Sequence, residues 1–247
     1  MDLSRKAVFS VLQTPPGCEN GPVPYLANCC GPIGAIQVDW DYKLSDFCLI
    51  HQIVYKEIYR REAALDAAGF NDIKLGPDLN SWGEVQKANA LSFAMAKEDE
   101  HGRALSFVDQ IVVVGLWSLC EQYLGRVFRF SKAGLEGIDP WGIDFPFRWG
   151  EIQQIFLSLG VNLESCSGYR DADECRAVNN AIKHSGKVDA RLVRYGAFSG
   201  LEGASLEGAS LEMQRYLNGV SDLIGSVIER CNSILEVAGV NRIRYPC

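Results

Sequence analysis

Histidine is scarce in this chain, with three copies (His51, His101 and His184) in 247 residues. They lie too far apart for the close ligand spacing of a metal site, so no metal is expected. There is no P-loop, no G-x-G-x-x-G after a strand and no nucleophile elbow, which removes the nucleotide-binding and hydrolase readings those motifs carry; no cofactor is expected. The nine cysteines (Cys18, Cys29, Cys30, Cys48, Cys120, Cys166, Cys175, Cys231 and Cys247) include no C-x-x-C pair. Adjacent Cys29 and Cys30 cannot chelate as a spaced knuckle does. Cys48, Cys120, Cys175 and Cys231 fall inside expected helices, where a free thiol serves as a small apolar residue. An odd count and no secretory pattern at the N-terminus predict reduced thiols in a cytoplasm. The longest apolar run, Ile111–Cys120, holds ten residues, against the roughly 20 a bilayer-spanning helix needs, so no membrane is expected. No excess of positive charge is present either. The 24 basic and 31 acidic side chains give a net charge of −7, which argues against coating nucleic acid by bulk electrostatics.

What is there is an ordinary globular composition, 47% apolar and 22% charged, in a chain long enough for a substantial core. The charge is uneven. Residues 1–125 carry 10 basic and 16 acidic groups, residues 126–194 carry 10 and 9, and residues 195–247 carry 4 and 6. Residues 1–40, rich in Pro, Gly and Cys, read as an irregular segment packed on the core, with a short helix near Ser4–Leu12. Helical periodicity then predicts Leu44–Ala68, with Phe47, Ile50, Ile53, Val54 and Ile58 on its buried side. Further helices are expected at Ser81–Lys97, ending in the charged run Glu98–Gly102, and at Leu105–Lys132, the central core helix. After a Gly/Pro/aromatic connector over 133–147 come helices at Trp149–Leu159, at about 171–185 and at Leu211–Ala238. Val112–Val114 is β-branched but lies inside a pattern too long for a strand. The fold class is all-α, an antiparallel bundle of about five to six helices over residues 41–240. Gly203-Ala-Ser-Leu-Glu207 is repeated as Gly208-Ala-Ser-Leu-Glu212. Its five-residue period keeps no face of a helix or strand and reads as a surface linker expanded by slippage.

The stretch with the most chemistry in it is Asp171–Gly186. Asp171 and Glu174 have the spacing of a capping box, and Gly186 stands where a left-handed C-cap belongs. Between them Arg176, Asn180, Lys183 and His184 fall on one side of the helix. An amide, two cations and an imidazole in one stripe suit work on a phosphodiester.

This segment resembles the signature of the HEPN superfamily, helical-bundle proteins that include RNase toxins and defence effectors. The signature is an Arg, four to six residues, then a His, often with a polar residue directly after the Arg. Asn180 and His184 fit it in Asn179-Asn180-Ala-Ile-Lys-His184, while Asn179 stands where Arg is usual; Arg176 is the nearest arginine. A second point of resemblance is Glu121 in Leu116-Trp-Ser-Leu-Cys-Glu121-Gln-Tyr-Leu124, an acidic residue in the apolar helix expected beside the His helix. The resemblance covers about residues 105–240. It implies metal-independent RNA cleavage with His184 as base for a 2′-OH, Lys183 and Arg176 as cations, Asn179 and Asn180 as donors, and Glu121 near the imidazole. It also implies a homodimer with a composite site and an antitoxin or defence-system partner. The alternative function is a non-catalytic HEPN-like module that binds a partner protein or nucleic acid.

The same residues have plainer roles open to them. His184 can cap its own helix's last carbonyls, Asn179 and Asn180 can be buried amides between helices, and Arg176 can pair with Glu121. His51 reads as a satisfied core histidine and His101 as an exposed loop residue.

Overall fold

The structure, a computed structural model, describes residues 11–13, 31–67, 83–207 and 209–240. Among them it is all-α, as the periodicity predicts: α1 (Gly34–Ala67), α2 (Glu84–Glu136), α3 (Trp149–Ser158), α4 (Tyr169–His184) and α5 (Met213–Val237), with short 3-10 turns between. Of the expected helix near Ser4–Leu12, residues 4–10 lie outside the described residues and residues 11–12 are not helical, and the expected helix start at Ser81 also lies outside the described residues.

Helix α5 shows how the sequence builds the bundle. Tyr216, Leu217, Val220, Leu223, Ile224, Val227, Ile228 and Leu235 recur at three- and four-residue intervals and are all buried. This stripe packs on α2 and α4, and α1 closes the bundle against α2 and α5. Truncating one of these, Leu217→Ala for instance, would cost about 2–5 kcal/mol. Helix α1 runs antiparallel to α2. Asp39 accepts from Tyr123 and Arg126, Asp109 lies against His51 and Tyr55, and Glu62 lies 3.4 Å from His101. The expected cysteines of the helices, Cys48, Cys120, Cys175 and Cys231, are buried free thiols, as is Cys166.

Five expectations are corrected. Helix α1 begins at Gly34, so residues 34–40 are helical rather than irregular, and Ile36 and Trp40 are core residues. The buried stripe of α1 is Leu44, Cys48, His51 and Tyr55, whereas Ile50 and Ile53 are 63% and 57% exposed. The apolar residues of this helix surround it, so of the side that periodicity chose Phe47 packs against the core while Ile50 and Ile53 face water. The run Glu98–Gly102 does not end a helix, and α2 continues unbroken for 53 residues. One glycine costs a helix about 1 kcal/mol, and here α1 lies alongside, with Tyr59 against the His101 ring at 5.9 Å. His101 is therefore a half-buried helical residue instead of a loop residue. Finally, α4 starts at Tyr169, two residues before the expected cap, and Asp171 and Glu174 bond to Arg215 rather than to the helix end.

That early start has a steric cause. Gly168 adopts φ +71°, and a Cβ there would lie 2.2 Å from the Gly219 carbonyl oxygen; one on Gly219 would lie 2.4 Å from the Asp171 Cβ. Two glycines thus let α4 and α5 cross at backbone distance. The stretch Glu100–Glu136 of α2 contains an 18-residue window of mean hydropathy 1.5, enough by length and composition to cross a membrane. Of that window 44% is buried in the bundle, and a central core helix has the same composition.

The 203–212 repeat is more than a surface linker. Its two leucines, Leu206 and Leu211, are both core residues. Its first copy pairs with the chain leaving α4: Gly203 N–H donates to Val188 O, Val188 N–H to Ala204 O and Leu206 N–H to Gly186 O, at 2.8–2.9 Å.

His51 is the satisfied core histidine its neighbours predict. Its Nδ1 accepts from Leu12 N–H at 3.3 Å and its Nε2 faces Asp109 at 3.4 Å, while Gln52 donates to Leu12 O at 2.9 Å. Leu12 itself is buried in the core.

Candidate functional site

Helix α4 ends where its sequence says it should. Gly186 takes φ +62°, and Ser185 N–H and Gly186 N–H both donate to Ala181 O, at 3.0 and 2.8 Å. With Ala181 capped in this way, the His184 imidazole is left over. It is exposed and, among the described residues, makes no hydrogen bond or ion pair, as is also true of Lys183. The capping role open to His184 is not the one it plays.

Beside this end lies an open cleft of about 340 Å³. Arg103, Phe107 and Gln110, spaced i, i+4 and i+7 on one face of α2, form one wall. Ser185, Gly186 and Lys187, directly after His184, form the second, and Ser205 and Glu207 of the repeat form the third. The Ser185 hydroxyl accepts from Lys187 N–H at 3.2 Å and the Ser205 hydroxyl from Glu207 N–H at 3.0 Å, which sets the shape of both turns. The charged groups of the lining are Arg103, Lys187 and Glu207.

The other residues of the expected stripe do not gather there. Arg176 is held by Asp173, with Nε and Nη2 at 2.8 and 2.7 Å from one carboxylate oxygen, and its guanidinium lies 5.4 Å from the Trp149 ring centroid. It stands eight positions before His184, about 12 Å along the helix. Glu121 accepts from the Trp117 indole at 2.8 Å and, among the described residues, bonds to neither Arg176 nor His184. The Arg176–Glu121 ion pair is therefore not formed. Asn180 is half-buried and accepts from the Asn179 amide at 3.4 Å. Asn179 is buried, and its side-chain oxygen has no partner among the described residues. Of the five residues expected at the site, His184 and Lys183 stand at the cleft end of α4, Asn180 sits one turn back, and Arg176 and Glu121 belong to a separate cluster with Trp117, Trp149 and Asp173. Sequence reasoning missed Arg103, Phe107 and Gln110. Their i, i+4, i+7 spacing is a signal, but nothing local links it to His184 some 80 residues on.

The opposite end of α4 also opens on a cleft, of about 620 Å³, whose lining includes a cluster of paired charges and, exposed beside it, Arg170, which makes no ion pair among the described residues. Arg215 of α5 reaches Asp171 and Glu174 at 2.5 Å each and also bonds Glu212. Burial opposes its charge, yet Glu174, Asp171 and Glu212 together outweigh that and hold its pKa above the usual range. Glu174 is almost fully buried and also accepts from Tyr216 at 2.8 Å. Burial, and then that carboxylate, push the Tyr216 hydroxyl up. The buried carboxylate is thus paired and hydrogen-bonded, as burial demands.

No known family model matches the chain, and no curated protein or solved structure matches it either.

Proposed function

We propose that this protein is HEPN-like and acts on RNA as a metal-independent endoribonuclease. The observation that carries the reading is the exposed His184 imidazole, unpartnered among the described residues, standing beside an open cleft. In this reading a neutral His184 takes the proton of a 2′-OH. The 2′-oxygen bonds to the adjacent phosphorus as the bond from phosphorus to the 5′-oxygen breaks, and the proton passes to the departing oxygen. The products are a 2′,3′-cyclic phosphate and a 5′-hydroxyl. Lys183 and Lys187 stabilise the negative charge that builds on the phosphoryl oxygens. Arg176 and Glu121 stay outside this step and brace α4 against its neighbours. The signature also supports a cytoplasmic homodimer with an antitoxin or defence partner.

The test is cleavage of total RNA and transfer RNA by purified protein in EDTA, beside His184→Ala. Cleavage that is lost in the variant, with cyclic phosphate ends, supports the reading. Two folded proteins that both leave RNA intact would sink it.

The second reading is a non-catalytic module of the same kind that binds a partner. It is favoured by Asn179, which stands at the signature's arginine position and is buried, so no guanidinium flanks His184 from within the helix.

A further inference from the structure

Residues 11–13 form a short strap whose backbone is held by side chains of α1 and α5. Leu12 is buried between two exposed neighbours, Val11 and Gln13. Leu12 N–H donates to His51 Nδ1 at 3.3 Å, and Leu12 O accepts from the Gln52 amide at 2.9 Å. Gln214 of α5 holds the next residue by both of its backbone groups. Its Oε1 accepts from Gln13 N–H at 2.8 Å, and its Nε2 donates to Gln13 O at 3.3 Å. Every backbone donor and acceptor of Leu12 and Gln13 is thus met by His51, Gln52 or Gln214, and of these three only His51 has a titratable side chain.

The geometry fixes which form of His51 holds the strap. A ring nitrogen that accepts from a backbone N–H carries no proton, so the imidazole is neutral, with its hydrogen on Nε2 facing Asp109 of α2 at 3.4 Å. Asp109 also accepts from the Tyr55 hydroxyl. Burial first, and then that carboxylate, hold Tyr55 above its usual range, so it remains the donor. The Tyr55 ring lies 4.2 Å from the imidazole, and Cys48 stands one turn before His51 on the same buried stripe of α1. The groups that α5 and the strap bring here, Gln214 and Gln13, are neutral. Among the described residues Asp109 is the one charged group bonded to the ring.

We propose that residues 11–13 are a pH-gated strap: a second proton on His51, taken from water onto Nδ1 and balanced by Asp109, turns the acceptor of Leu12 N–H into a donor and releases the segment from α1. Donor then faces donor in a buried place, and Leu12 N–H is left without a partner. Closure requires the neutral ring. The strap is therefore held at the alkaline end of the range of about pH 5–8 in which histidines change charge, and is let go as pH falls. Opening uncovers the slot that Leu12 fills and frees the Gln52 and Gln214 amides. The device stands apart from the RNA reading and does not depend on it.

The experiment is amide hydrogen exchange of the full chain across a series from about pH 8 to about pH 5, corrected for the intrinsic effect of pH on exchange. It is read at Leu12 and Gln13 and, as an internal control, at Leu223 and Val227 of α5. Protection at Leu12 and Gln13 is expected to fall at least about tenfold toward the acid end, while the α5 amides keep theirs. His51→Asn places an amide oxygen near the position of Nδ1 and does not titrate, so its strap is expected to stay protected throughout. Asp109→Asn still accepts from Tyr55 and His51 but does not balance a second proton, so its release is expected to move about one unit lower in pH. Equal wild-type protection at both ends of the series would overturn the proposal. So would a fall shared by the α5 amides, which is unfolding of the whole bundle. A wild-type fall that persists unchanged in either folded variant would assign the titration to another group and overturn it as well.

Discussion

The two ends of α4 carry opposite electrostatic designs. At its N-terminal end Arg215 is shared among Asp171, Glu174 and Glu212, and Tyr216 closes the network from inside. At its C-terminal end Lys183, His184 and Lys187 stand in water, and the cleft beside them holds a single carboxylate. Charge that is internally satisfied fixes how two helices sit. Charge that has no internal partner is available to something outside. A ligand that enters the larger cleft must compete with the bonds Arg215 already makes.

The comparison breaks most visibly at Arg215. Arg215→Met leaves Glu174 buried without its cation and is expected to cost about 3–5 kcal/mol in urea denaturation. Adding Glu174→Met, which removes the stranded charge, is expected to recover much of that loss. A single variant as stable as wild type would show that the network holds nothing together.

Alkali comes next. The Cys231 thiol, pushed up to about 11 mainly by burial, stays neutral in the folded protein after its unfolded counterpart ionises near 9. Stability from this group is complete below pH 9 and falls as pH rises to 11, by about 2–3 kcal/mol. Cys120, Cys175 and Tyr216 are raised in the same direction and add to the loss. The urea midpoint should therefore be flat with respect to these groups below pH 9 and decline above it, and a midpoint unchanged at pH 11 would contradict their burial.

Gly219→Ala tests the helix crossing that holds the N-terminal end in place. Its new methyl meets the Asp171 Cβ and the Ala172 backbone, and the expected cost is about 1–3 kcal/mol. The smallest effect belongs to the other end. His184→Ala should change stability by no more than about 0.5 kcal/mol in the same denaturation assay, while it removes cleavage. A large destabilisation would place His184 in the scaffold.

The bundle was legible wherever one helix has one apolar stripe. Helix α5 and the end of α4 at Gly186 come out of periodicity and capping nearly to the residue. Helix α1 did not, because Leu49, Ile50 and Ile53 are as apolar as the buried Leu44 and Cys48, and the true stripe includes a histidine and a tyrosine. The partners of Asp171 and Glu174 were hidden for a different reason. A capping box and a long-range pairing with Arg215 need the same carboxylates at the same spacing, and only the approach of α5 decides between them. The second wall of the cleft is invisible for a like cause, since Arg103 and Phe107 meet Lys187 only through packing of α2 beside α4.

The duplicated five-residue unit has a genetic consequence. Each copy contributes one core leucine, Leu206 or Leu211, and one glutamate, Glu207 at one cleft and Glu212 at the other. Slippage in such a tract adds or deletes whole units, so one event changes a hydrophobic anchor and a negative charge together. Copy number thereby ties mutational robustness to the charge balance of the two clefts, and a line of descent cannot adjust one without disturbing the other.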